Sequence, residues 1–360
     1  MAFSKIAVLG LGRVGHLAAE LLAEAGFEVT AFDSRRIEGA ALVVRQLDFG
    51  DSEAAGAALQ GQEAVLSCLP YAFNKAIASA AHALKIHYFD LTEDVATTQH
   101  IRALAATSKG IMAPQCGLAP GFVAIVGGHL AERFERVRSI RLRVGALPQH
   151  PAGLLGYAFN WSPEGVVNEY LNDCEVIEEG VHKMVSAMEW LETIYIRGVR
   201  LEAFTTSGGL GTMCETYSGR VENLDYKTMR YPGHANLMNF FFHELLMRED
   251  RAAAGRILTH AKPPVDDDVV YLHVAAEGWT EGRLSRREFV RAYYPVEIGG
   301  RLRTAIAWTT AGSVAAVIEM ARAGALPQQG FLKQESIPLE PFLKTKTGEL
   351  YGKATGTRAA

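Results

Sequence analysis

The segment Ile6-Ala-Val-Leu-Gly10-Leu-Gly12-Arg13-Val14-Gly15 is a short apolar run that breaks into a glycine-rich turn. Leu17 to Ala25 follows with helix formers, and Glu28-Val-Thr-Ala-Phe-Asp33 reads as a second strand ending in a carboxylate. Strand, Gly-x-Gly-x-x-Gly, helix, strand and acid together are the fingerprint of a dinucleotide-binding βαβ unit. Gly10 permits the tight turn, Gly12 lets the backbone approach a pyrophosphate, and Gly15 lets the helix pack close to the strand. The helix N-terminus then offers free N–H groups and a positive dipole end to the phosphates, a role that falls on Arg13 and Val14 as well. Asp33 can accept both ribose hydroxyls and repels a 2′-phosphate, so NAD is expected over NADP, with Ser34 beside it at the ribose. Arg35 and Arg36 pull the other way, because an arginine just past the strand can hold a 2′-phosphate.

At 360 residues the chain is too long for one small core, and two domains are expected. A net charge of -4 gives no electrostatic reason to bind nucleic acid. No apolar run is long enough for a membrane-spanning helix. The start, Met1-Ala-Phe-Ser-Lys5, leads straight into a strand without a secretory pattern, and the four cysteines include no C-x-x-C pair. A reducing cytoplasm is therefore expected, and no metal site, a cysteine-based zinc site included.

The first third keeps alternating between strand and helix: Ala41 to Leu47, Glu63 to Leu69, His87 to Leu91 and Gly110 to Pro114 as strands, with helices at Ser52 to Leu59, Asn74 to Leu84 and His100 to Ala106. Cys68, Leu69 and Pro70 end the second of these strands, where such a fold places the nicotinamide side of its cofactor. Leu91, Gly117 and Leu118 take corresponding places further along. Beyond residue 135 the pattern changes to period two, at 136–144, 269–275 and 288–294, which marks half-exposed antiparallel strands. Ala276 to Gly282 reads as a turn between two of them. Thr309 to Ala323 is too apolar for a surface helix and is expected to pack back on the first domain. The expected fold is thus α/β: a Rossmann-type doubly wound parallel sheet from residues 1–122 and 303–345, and an α+β second domain with a mostly antiparallel sheet from 123–302. Residues 346–360 are expected to be a tail, frayed over the last ten. The alternating strands suit sheets paired across a two-fold axis, so a homodimer or larger homo-oligomer is expected.

Polar residues gather in four segments that no core requirement explains: Asp90-Leu-Thr-Glu93-Asp94, Cys116-Gly-Leu-Ala-Pro-Gly121, Thr205-Thr206-Ser-Gly-Gly209 with Glu202 before it, and the run from Asn223 through Lys227, Arg230 and Tyr231 to His234. The last reads as a loop. Arg230 supplies a fork for a substrate carboxylate. Lys227, Tyr231 and His234 can each move protons.

With these segments, and with Asn160 to Tyr170, the chain resembles the saccharopine dehydrogenase-like oxidoreductases, and within them the compact lysine 6-dehydrogenase branch. The resemblance runs from the first strand to about residue 340. It implies NAD-dependent oxidative deamination of the terminal amine of L-lysine, with imine hydrolysis to a semialdehyde that cyclises. Arg230 would then hold the α-carboxylate, with Asp90, Thr206 and Tyr231 as further substrate contacts. Glu93, Lys227 and His234 are the candidates for the base that deprotonates the ammonium, with no ranking among them. Trp161 and Tyr231 would wall the aliphatic chain. Gln149-His150 has no clear match in the family pattern, which leaves room for another diamine or an N-substituted amino acid. The alternatives are a saccharopine dehydrogenase making or splitting a secondary amine with NAD or NADP, and a non-catalytic NAD-binding sensor.

Overall fold

A computed structural model describes residues 3–37 and 42–353, and its contacts divide the chain into two units. The first takes residues up to 125 together with 307–353, and the second takes 126–306. Ala41 and residues 354–360, which carried expectations above, lie outside the described residues.

The first unit opens with β1 (Lys5–Leu9), α1 (Arg13–Glu24), β2 (Glu28–Asp33), β3 (Val43–Gln46), α2 (Ser52–Ala58) and β4 (Ala64–Ser67). Next come α3 (Tyr71–Leu84), β5 (His87–Asp90), α4 (Val95–Ala105), β6 (Ile111–Ala113) and α5 (Phe122–Ala131), the last running into the second unit. The central strands β1 and β4 are buried along nearly their whole length, as strands covered on both faces must be.

The second unit continues with β7 (Arg136–Pro148), α6 (Pro163–Leu171), β8 (Cys174–Glu178), β9 (Val181–Val185), β10 (Glu192–Ile196), β11 (Val199–Thr205) and α7 (Met213–Tyr217). It is completed by β12 (Asn223–Arg230), α8 (His234–Asn239), α9 (Arg251–Ala261), β13 (Asp268–Thr280), β14 (Arg283–Tyr293), β15 (Val296–Ile298) and β16 (Arg301–Arg303). Then α10 (Ala305–Arg322) leads back to the first unit, which ends with β17 (Gly330–Phe331), α11 (Leu339–Leu343) and α12 (Glu349–Lys353).

The first sheet runs β17-β6-β5-β4-β1-β2-β3, parallel throughout, and the chain reverses direction of travel across it at β1. This is the doubly wound arrangement, and the carboxyl ends of β1 and β4 flank its switch point. The second sheet runs β10-β11-β12-β7-β13-β14, with β8 and β9 branching from β12. It is antiparallel except for the β12–β7 pair.

Three expectations need correction. The turn between β13 and β14 is only Glu281-Gly282, not Ala276 to Gly282: both residues have positive φ (52° and 73°), the geometry of a two-residue hairpin turn. Gly278, inside the stretch read as a turn, instead marks a register shift within β13, where a Cβ would come 2.5 Å from the Arg136 carbonyl. Secondly, residues 346–353 are not a tail. Tyr351 is buried, its ring stacked on Phe122 at 4.1 Å and edge-on to Trp308 of α10. Finally, the polar run from Asn223 to Arg230 is strand β12 rather than a loop, so its side chains alternate between two faces.

Candidate active site

The glycine turn has the geometry its spacing calls for. Gly10 has φ of 87°, and a Cβ on Gly15 would lie 1.9 Å from the Gly10 carbonyl, so α1 approaches β1 only because residue 15 is glycine. A Cβ on Gly12 would meet nothing within 4 Å, which is the space a pyrophosphate needs. Gly12 is the N-cap of α1, and no side chain caps the helix. Arg13 and Val14 form its first turn. Cys68 and Leu69 lie against Gly10, within about an atom's contact of where its Cβ would be, and Pro70 is the N-cap residue of α3. These features fit a dinucleotide. Asp33 sits at the end of β2, its Oδ2 accepting the Leu11 N–H at 2.8 Å and its Oδ1 the Arg35 backbone and Nε donors at 2.9 and 3.0 Å. Burial works against its charge, but these hydrogen bonds more than offset it and hold the carboxyl below the usual range. Ser34 follows on the surface, its carbonyl accepting from Gln46.

The carboxyl end of β5 separates two acids that the sequence offers together. Asp90 is fully buried, with Oδ2 accepting from the Tyr88 hydroxyl at 2.7 Å and Oδ1 from the Thr92 and Gln115 N–H groups at 3.0 Å. Both oxygens are spent on tying β5 to the loop after β6, so Asp90 is a positioning residue and not a substrate contact. Burial pushes its carboxyl up to about 6. Glu93 is held by no other described residue; its own backbone N–H is its one hydrogen-bond partner, and that bond works against the upward shift. Burial, with the charges of Asp94 and Asp90, raises it to about 7, where a general base works best near neutrality. Leu91 packs near Gly117, and the Gly117–Gly121 turn closes so tightly that a Cβ on Gly121 would lie 1.9 Å from the Gly117 carbonyl. Leu118, inside that turn, is buried.

In the second unit Arg230 ends β12, 2% exposed. Its Nε donates to the Tyr170 hydroxyl at 2.7 Å and its Nη1 to Thr228 Oγ1 at 2.6 Å and the Met229 carbonyl at 2.8 Å. The guanidinium lies 4.6 Å from the centre of the Tyr157 ring. Among the described residues, no partner takes Nη2 and no carboxylate forms an ion pair with the group. The Tyr170 hydroxyl continues the chain to His234 Nε2 at 3.0 Å, and His234 Nδ1 meets the Leu155 carbonyl at 3.0 Å. A carbonyl only accepts, so Nδ1 carries the proton and Nε2 accepts from Tyr170. Burial and the Arg230 charge push His234 down to about 3, so the ring is neutral. Glu202, which faces Arg230 across β11 and β12, accepts the Gly233 and Ala235 N–H groups at 2.9 and 2.7 Å and so fixes the turn that carries His234. Thr206, just past β11, is buried with its hydroxyl unpartnered.

Two family models cover most of the chain. The saccharopine dehydrogenase NADP binding domain matches residues 6–113, and the saccharopine dehydrogenase C-terminal domain matches residues 117–350. The chain belongs to the saccharopine dehydrogenase family. Among solved structures, apo histidine-tagged saccharopine dehydrogenase (L-Glu forming) from Saccharomyces cerevisiae aligns with 97% of this chain and 98% of its own at TM-score 0.75 and 19% identity. The C. glutamicum DAP dehydrogenase in complex with DAP aligns with 98% of this chain and 99% of its own at TM-score 0.51 and 12% identity. These share the fold. The protein is thus an NAD(P)-dependent amino acid dehydrogenase with a Rossmann-type nucleotide domain.

Within this saccharopine dehydrogenase family member, the expected site residues part company. Lys227 is removed from Arg230 by the strand itself, since residues 227 and 230 point to opposite faces of β12. Its Nζ donates to the Trp190 carbonyl at 2.6 Å and pairs with Glu192 at 2.9 Å, beside Arg143. It belongs to a structural ion cluster and is no longer a candidate base. His234 is a poor base for the reasons of burial and charge just given. Tyr231 donates to the Pro148 carbonyl at 2.8 Å, so its hydroxyl proton is engaged by the backbone. Trp161 donates to the Tyr157 hydroxyl at 3.3 Å and so supports the ring under Arg230. Gln149 binds the backbone at Asp267 and Asp268, while His150 is exposed. The sequence reading assigned no role to Tyr157 or Tyr170. The one available signal was that Tyr170 closes the family-like stretch from Asn160.

Proposed function

We propose that the protein oxidises the terminal amine of L-lysine with NAD, the α-carboxylate of the substrate binding Arg230. The observation that carries this reading is the free Nη2 on a buried guanidinium held only by neutral acceptors. A carboxylate there gains a charge-assisted hydrogen bond and supplies a directly bonded counter-ion, whereas Glu169 acts on the guanidinium only through space. Of the buried cations among the described residues, Arg143 and Lys227 already pair with carboxylates, which leaves Arg230. One free buried cation suits a substrate with one carboxylate better than saccharopine, which has three. The unpartnered Thr206 hydroxyl is a second polar group of this unit for the substrate to satisfy.

When bound, the nicotinamide accepts a hydride from the carbon bearing the ε-amine. That carbon releases hydride only from the neutral amine, so the ammonium must first lose a proton, and Glu93 is the residue assigned to take it. The oxidised carbon is left as an imine, which water hydrolyses to the semialdehyde and ammonia. Gly10, Gly12 and Gly15 with the α1 N-terminus would hold the pyrophosphate, and Asp33 the adenosine ribose. NADP is the second reading, favoured by Arg35 lying on Asp33 and by the NADP binding domain model that matches this unit. Assembly into a homodimer or larger oligomer is part of the same reading and is checked by sedimentation.

The deciding experiment follows reduced-cofactor formation with lysine, saccharopine and other diamino acids, each with NAD and NADP, at alkaline pH. Lysine with NAD is expected to be fastest. Turnover of saccharopine alone would overturn the substrate, and turnover with NADP alone would overturn the reading of Asp33. Glu93→Gln is expected to lower kcat about 10²–10⁴-fold and to remove the limb of the pH profile near about pH 7, the range of a lost general base.

A further inference from the structure

Outside the nucleotide and Arg230 regions, three side chains with metal-ligand chemistry converge in the second unit. Glu175 on β8, His182 on β9 and Cys214 on α7 bring one ligand atom each to within 4.8 Å of one another. The hairpin sets the first two. His182 stands opposite Ile177 and Glu175 opposite Met184, which makes Glu175 and His182 diagonal neighbours on one face. The two-residue turn Glu179-Gly180, both with positive φ, locks that register. Cys214 enters from the first turn of α7, fully buried.

No described residue gives any of the three a hydrogen bond, an ion pair or a disulfide. A half-buried carboxylate and a buried thiol without partners are an unusual pair for a purely structural corner. Thiolate, imidazole and carboxylate together are the donor set of a borderline-soft divalent ion. In a tetrahedral zinc site the ligand atoms stand about 3.5 Å apart, so a closure of about 1 Å is needed. His182 is exposed and Glu175 only half-buried, so both side chains have room to make it.

We infer that Glu175, His182 and Cys214 form a three-ligand site for zinc or a zinc-like divalent cation, with a fourth position for water. Bound there, the ion clamps the β8–β9 hairpin to α7, the helix that follows the Thr206 segment. The site is distinct from the residues assigned to the reaction, and none of the three is used there.

Cobalt is the probe. The purified chain, stripped with a chelator and titrated with Co²⁺, is expected to take up one ion per chain and to show a thiolate-to-cobalt charge-transfer band together with visible bands of tetrahedral intensity. Zinc should displace it. Cys214→Ser should abolish the charge-transfer band, and His182→Asn should weaken binding by about tenfold or more, the least that even an outer-shell change costs. Dehydrogenase turnover of both variants should match the parent. Absence of the thiolate band, or bands and zinc content unchanged in both variants, would overturn the site. His182→Asn decides the matter if Cys214→Ser fails to fold, because His182 is exposed.

Discussion

Arg143 and Arg230 sit on neighbouring strands, β7 and β12, and each is 2% exposed, but they face opposite sides of the sheet. Arg143 is enclosed by carboxylates. Its Nε donates to Glu192 at 2.5 Å and its Nη2 to Asp225 at 2.8 Å, with Lys227 sharing Glu192 from the other side. Arg230 has two hydroxyls, one carbonyl and the Tyr157 and Tyr170 rings around it, and it feels the buried Glu169 carboxylate only through space, with no ion pair. Burying a charge is costly unless it is paired, so the first arginine is complete within the chain, and on the proposed reading the second is completed by the substrate. The same residue type at the same burial is thus ion-paired on one face and without a bonded carboxylate on the other.

The largest expected effect tests the structural side. Arg143→Met leaves Asp225 and Glu192 facing Lys227 alone and should lower stability by about 3–5 kcal/mol in a denaturant melt, with KM for the amine substrate unchanged. A raised KM with stability intact would erase the contrast. Arg230→Lys keeps a charge but loses the fork, and should reduce kcat/KM for the amino acid by about 2–4 kcal/mol, roughly thirtyfold to nearly a thousandfold. Cofactor affinity, measured by fluorescence, should not move. If Arg230→Met destabilises the fold as much as Arg143→Met, Arg230 is structural after all.

Tyr170→Phe is expected to cost about 1.5–3 kcal/mol in kcat/KM, the worth of a hydrogen bond to a charged group, and the loss should be absent in a variant already lacking Arg230. The smallest effect concerns His234. Its folded pKa of about 3 lies below the unfolded value of 6.5, so the unfolded chain binds the extra proton on acidification. Its contribution to stability is present above the unfolded pKa and is lost as pH falls toward the folded one. The expected slope is about 1 kcal/mol per pH unit between about pH 6 and 5, and His234→Gln should flatten it. An unchanged slope would mean that the histidine is solvated, which would loosen the whole Arg230 side of the comparison.

How far these features were legible depended on how local they are. Gly10, Gly12, Gly15 and Asp33 lie within one βαβ unit, where sequence spacing is also spatial spacing. The four strands from Cys174 to Thr205 went unread, although Glu179-Gly180 and Arg197-Gly198 are hairpin turns of the same kind as Glu281-Gly282. Short strands with interrupted alternation hide such signals. Asp90 misled because an acid at the carboxyl edge of a strand looks the same in sequence whether its oxygens meet a ligand or backbone N–H groups. Lys227 misled because a polar run read as a loop has no faces. Once Asn223 to Arg230 is a strand, period two sends Lys227 one way and Arg230 the other.

From the sequence alone come the nucleotide fold, the carboxylate after its second strand, and the arginine proposed to bind substrate. Each follows from local sterics or from the cost of an unusual residue type. Tertiary structure decided which charges are satisfied. Burial, and the direction in which each oxygen and nitrogen points, arise from elements far apart in the chain. They fixed Asp90 and Lys227 in place, silenced His234, and left Glu93 and Arg230 available.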